Sequence, residues 1–142
     1  MKQIVLSIEQ MKHLEELGLK VGYDASMVYH KESDGWHLSI FYGYEDFELR
    51  KIEYVPAYTL QDILEKLPKA IPCSIPGLLY YRLSISSIYE SDKLAISYEA
   101  NRPIPEQGET YKVESVAKII IDTPLEATYK MLCWCLEEGF VK

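Results

Sequence analysis

Along the chain, apolar residues recur either at every second position or at every third to fourth, and short polar or proline-bearing breaks separate the two kinds of stretch. Ile8, Met11, Leu14 and Leu17 keep helical spacing behind Ser7, with Gln10 three residues after that serine, so a capping box opens a first helix. Gly18 followed by Leu19 is a stop signal. SMVYH at 26–30 is rich in β-formers. After a polar break at Lys31–Gly35, Trp36, Leu38, Ile40 and Tyr42 alternate with His37, Ser39 and Phe41. Asp34-Gly35 within that break predicts a hairpin. Phe47–Val55 (FELRKIEYV) reads as a third strand of weaker alternation that Pro56 ends. Thr59 then caps a helix whose apolar face is Leu60, Ile63, Leu64 and Leu67, and Pro68 stops it.

Residues 68–77, PKAIPCSIPG, hold three prolines and a glycine and read as a connector. Beyond it Leu79, Tyr81, Leu83 and Ile85 alternate with Tyr80, Arg82, Ser84 and Ser86. The chain turns at Tyr89–Asp92, and Leu94, Ile96 and Tyr98 alternate on the way back. A loop follows at Ala100–Gly108, then a β-rich stretch without clean periodicity, Tyr111–Ile121, read as a strand with a kink or a bulge near Ser115–Ala117. The last stretch, Thr123–Lys142, is the strongest element. Thr123 and Glu126 form a capping box, Pro124 takes the first helical position, and Gly139 ends the helix. Leu125, Tyr129, Leu132, Leu136 and Phe140 share one stripe with Cys133 on its edge, and Glu126, Lys130 and Glu137 make a polar wedge. Ala127, Met131 and Trp134 form a second apolar strip almost opposite the first. Such a strip is covered by another helix of the chain, or it is a partner or dimer surface.

The order strand, strand, strand, capped helix thus occurs twice, in pseudo-repeat halves 20–67 and 78–142 joined by the connector 68–77. The predicted fold is α+β. Two β-β-β-α units build an antiparallel sheet with helices on one face, an N-terminal helix is added, and residues 1–142 form a single domain.

Composition narrows the function classes. A net charge of −7 without a clustered positive face argues against nucleic acid and against an anionic membrane surface. The opening MKQIVLSIEQM reaches acids and a cap signal after a short apolar run, which is not the layout of a signal peptide, and no apolar run approaches a membrane span. Three cysteines, two of them about 200° apart around one helix, suit reduced thiols in the cytoplasm better than a disulfide framework.

Two resemblances follow from these stretches. The β-β-β-α unit, with its glycine-bearing hairpin at Asp34-Gly35-Trp36 and threonine-led helices at Thr59–Leu67 and Thr123–Leu132, resembles the half-domain of HicB-type antitoxins. That likeness implies three strands and a helix in the manner of a partial RNase H fold. The chain departs from the pattern in lacking the proline- and glycine-containing segment before the helix and a separate DNA-binding motif. SIEQMKHLEELGL, VPAYTLQDILEKLPK and LEATYKMLCWCLEEGFVK are similar to segments of small uncharacterised proteins of prophages and mobile elements of gut bacteria, which implies a setting rather than a mechanism.

Candidate chemistry is sparse. There is no glycine-rich phosphate loop and no nucleophile elbow. His30 and His37 flank the hairpin as prospective cross-strand neighbours, half of a metal site with no third ligand evident. Glu45, Asp46 and Glu48 form the densest acidic spot, suited to a hard cation or to a solvated turn. Twelve tyrosines reflect β-propensity first, and strand alternation sends Tyr42, Tyr81 and Tyr98 inward. The chain accordingly reads as an acidic cytoplasmic protein without catalytic activity, cofactor or metal. It acts by binding a protein partner, or a second copy of itself, through Ala127, Met131 and Trp134, in the manner of a phage-related regulator or inhibitor. One alternative is an antitoxin-like neutraliser of a basic toxin. Another is a metal-dependent enzyme using His30, His37 and the acids at 45–48.

Overall fold

The structure, a computed structural model, describes residues 3–74, 77–88, 91–104, 108 and 111–141. Parts of the expected turn at 89–92, the connector at 75–76 and the loop at 105–107 lie outside the described residues, as do Tyr89 and the side chain of residue 111. In chain order the elements are α1 (Ile8–Glu16), β1 (Met27–Glu32), β2 (Gly35–Ile40), α2 (Glu45–Leu49), β3 (Tyr54–Ala57), α3 (Leu60–Lys66), β4 (Ala70–Pro72), β5 (Tyr80–Ser87), β6 (Leu94–Pro103), β7 (Tyr111–Ile121) and α4 (Pro124–Glu137). The α+β class, the antiparallel pairing and the N-terminal helix are those the sequence predicts. The strands divide between two sheets, ordered β2-β1-β3 and β4-β5-β6-β7.

Local chemistry explains most boundaries. Ser7 and Gln10 form the expected capping box on α1, and Thr59 and Asp62 form another on α3. The box expected at Thr123 does not form. Pro124 starts α4, the Thr123 hydroxyl caps nothing, and Glu126 accepts instead from Gln10 Nε2 at 2.9 Å. The same Gln10 closes the box on α1 through its Oε1, so one side-chain amide links the starts of α1 and α4.

The third predicted strand, Phe47–Val55, is a helix over its first part. Glu45, Asp46 and Glu48 lie in the first turn of α2, where the helix dipole favours them. Lys51, at φ 57°, then reverses the chain, with Lys51 N–H to Glu48 O at 3.2 Å and Ile52 N–H to Phe47 O at 2.8 Å. Weak alternation at 47–52 was the sign that this stretch is not pleated. The strand proper begins at Tyr54 and runs through Pro56, which an edge strand tolerates. The connector is not a free linker either. Its Ala70–Pro72 pairs with β5, and Tyr98 donates to Pro68 O at 2.7 Å. The bulge falls where expected, with Val116 the extra residue opposite Tyr98 and Glu99.

One buried cluster draws on Val5, Met11, Leu14, Tyr58, Ile63, Ile71, Tyr98, Met131 and Leu132, so α1, α3, α4 and the inner faces of both sheets share it. Asp62, 5 % exposed, is the polar pin of this region. It accepts from Ser26 N–H at 2.9 Å, Ser26 Oγ at 2.6 Å and Thr59 N–H at 2.9 Å, tying the start of β1 to the start of α3. Beside it Asp24 accepts from Tyr58 at 2.7 Å, from Gly22 N–H at 3.0 Å, and pairs with Lys66. Burial raises the Asp24 pKa, but the Lys66, Gly22 and Tyr58 bonds outweigh it and leave the carboxyl below its ordinary value.

Candidate functional site

Among the described residues, the β1–β2 hairpin carries the densest group of metal-ligating side chains. Its register pairs His30 with His37 and Glu32 with Gly35, leaving Ser33 and Asp34 as the two-residue turn. Because strand side chains alternate, His30 and Glu32 share a face, and cross-strand pairing brings His37 to the same face. The two rings stack with centroids 5.9 Å apart, and Phe47 of α2 covers His30 from its other side at 5.6 Å. Glu32 lies between the histidines, Oε1 at 3.6 Å from His30 Nδ1 and Oε2 at 3.3 Å from His37 Nε2. Asp34 Oδ1 completes the group at 2.7 Å from His37 Nε2. The hydrogen bond to Asp34 holds the His37 pKa above its ordinary value, and the same bond lowers that of Asp34. The histidine pair was legible from the hairpin signal. The two carboxylates were not, because Lys31–Gly35 reads as a polar break; the spacing His-x-Glu-x-Asp-x-x-His across a two-residue turn is the signal that places them.

The acids at 45–48 do not join this group. Glu45 accepts from Tyr23, whose hydrogen bond holds its carboxyl below the usual range. Asp46 pairs with Arg50 at 3.4 Å, and Glu48 accepts from Tyr54 at 3.5 Å. Their role is a solvated, acidic helix start. An aromatic run through Tyr44, Tyr23, Phe41, Tyr54 and Phe47 continues to His30, each ring 5.0–6.4 Å from the next. It packs α2 on the face of the first sheet that turns away from the shared cluster, where Val28 is fully buried.

The strip Ala127, Met131 and Trp134, offered by the sequence as a partner surface, is interior. Ala127 and Met131 are fully buried, and Trp134 is half-buried between Tyr98, at 6.0 Å, and Phe140, at 5.5 Å. The second sheet takes part in the cover, since Tyr98 belongs to β6, and α3 packs against α4 as well. The opposite side meets α1, with Tyr129 6.5 Å from His13 and Glu126 bonded to Gln10. Cys133 and Cys135 are buried, and burial raises both thiols above their ordinary pKa, which suits packing rather than nucleophilic chemistry. Tyr81 and Tyr98 point inward as expected. Tyr42 is 89 % exposed, because β2 ends at Ile40 and Gly43, at φ 137°, turns the chain.

The exposed apolar edge lies elsewhere. β7 is the last strand of its sheet, eleven residues long, and among the described residues nothing pairs with its outer side. Val113, Val116 and Ile120 on it are 55 %, 44 % and 46 % exposed. No helix of the described residues is long and apolar enough to cross a membrane. Comparisons with protein-family models, with curated proteins and with solved structures give no match for this chain.

Proposed function

We propose that this chain is a non-catalytic, cytoplasmic protein-binding regulator or inhibitor whose working surface is the free edge of β7. The observation that carries the reading is that eleven-residue edge with Val113, Val116 and Ile120 in solvent. An unpaired edge offers a row of N–H and C=O groups to an added strand, and exposed β-branched side chains supply apolar contact alongside it. The occupant is an extended segment of a partner protein. Free thiols at Cys73, Cys133 and Cys135 suit a reducing compartment, and the resemblance to mobile-element proteins suits a phage-borne regulator. The test is capture from the native host with wild type and with Val113→Lys/Val116→Lys/Ile120→Lys, since lysines on an edge oppose strand addition. Partners held by wild type and lost by the variant support the reading. The same partners held by both, or the chain recovered only with itself, defeat it.

A second reading, an antitoxin-like neutraliser of a basic toxin, is favoured by the three-strand meander β5-β6-β7 with α4 packed across it. The net charge of −7 would speed encounter with a basic partner. Under this reading the protein captured by wild type is a small basic ribonuclease, and its activity falls on binding.

A further inference from the structure

We propose that the β1–β2 hairpin binds a divalent transition-metal ion of the zinc class through His37 Nε2, Glu32 Oε2 and Asp34 Oδ1. The three ligand atoms lie within 4.8 Å of one another. Bonds of about 2.0–2.2 Å in a tetrahedral site set neighbouring ligands roughly 3.3–3.5 Å apart. His37 Nε2 and Glu32 Oε2 already stand at 3.3 Å, and the 2.7 Å contact to Asp34 opens to that spacing by rotation of an exposed side chain. One imidazole with two carboxylates suits zinc and its first-row neighbours. It lacks the thiolates that select copper(I) and the all-oxygen shell that selects magnesium or calcium.

The surroundings hold the ligands in place. The register that pairs Glu32 with Gly35 sets one ligand at the end of β1, one in the two-residue turn and the third on the returning strand. His30 is a positioning residue: its Nδ1 faces the other Glu32 oxygen at 3.6 Å, and its ring is stacked between His37 and Phe47. That places His30 beside the non-ligating oxygen of Glu32, the position from which outer-shell partners act on a ligating carboxylate. Three protein donors leave a fourth position for water or for a ligand group from outside the chain. The site is on the first sheet and does not depend on the β7 edge.

The test is calorimetric titration of the full chain with zinc chloride after chelator treatment, with circular dichroism to verify each variant's fold. The expected result is one ion per chain, with affinity weakened about tenfold or more by Asp34→Asn and by His37→Gln, and unchanged by Cys73→Ser. Asp34→Asn keeps the turn's size and polarity, so it decides the matter even if His37→Gln disturbs the hairpin. No saturable binding, binding indifferent to Asp34→Asn, or binding lost in Cys73→Ser overturns the assignment.

Discussion

The two runs of strand, strand, strand, helix, residues 27–66 and 80–137, share an order and differ in how they are built. In the first, β3 pairs with β1 and the sheet is β2-β1-β3; in the second, β7 pairs with β6 and the strands form a meander. The connections account for this. Between β2 and β3 the chain forms α2 and lies over one face of the sheet, which delivers β3 to the far side of β1. Between β6 and β7 only residues 104–110 intervene, and the chain returns beside the strand it left. The helices differ in step. α3 has seven residues and begins on a buried carboxylate, whereas α4 has fourteen and is wrapped by apolar neighbours on more than half its circumference. Equal element order therefore does not imply equal pairing, because the length and content of a connection decide which edge a returning strand can reach.

The largest effect that would break this contrast is in α4. Met131→Ala removes a fully buried side chain and should cost about 3 kcal/mol in denaturant unfolding, while Leu64→Ala on the half-buried face of α3 costs clearly less. Equal losses would mean that the helices are embedded alike. Next is the residue three past each cap. Asp62→Ala orphans the N–H groups of Ser26 and Thr59 and should cost about 2–3 kcal/mol, whereas Glu126→Ala loses only its link to Gln10 and costs about 1 kcal/mol or less. A third change should stabilise. α1 and α4 end on Gly18 and Gly139 in the left-handed region, and α2 ends the same way on Lys51. Lys51→Gly relieves the side-chain clash there and should add about 1 kcal/mol, read as a rise in the unfolding midpoint. The smallest effect is electrostatic. In a proton NMR titration His37 should titrate above the ordinary histidine value of about 6.5, and Asp34→Asn should bring it down towards that value. The raised His37 pKa stabilises below its unfolded value and fades as pH rises through the folded one. The lowered Asp34 pKa stabilises above its unfolded value and fades as pH falls. The pair is therefore fully formed between about pH 4 and 6.5.

What could be read in advance follows the range of the interactions involved. The caps at Ser7 and Thr59 were visible because donor and acceptor stand three residues apart. Thr123 has the same spacing, yet its box is absent, and the Glu126 carboxylate that would close it accepts from Gln10, 116 residues away. The histidine pair was visible because a hairpin fixes its own register. Glu32 and Asp34 were missed because charged residues in a turn look like solvent-facing filler until that register is known.

The closing helix marks the boundary between the two kinds of information. Its apolar pattern alone requires that it be covered on two sides, since periodicity records how much of a helix must leave water. It does not record what does the covering. Tyr98 of β6 and Phe140 take the side of Trp134, and residues of α1 reach the other, through contacts between segments far apart in sequence. Burial is a property each residue type brings with it. The neighbour that supplies the burial depends on strand pairing, and strand pairing was set by the loops between β2 and β3 and between β6 and β7.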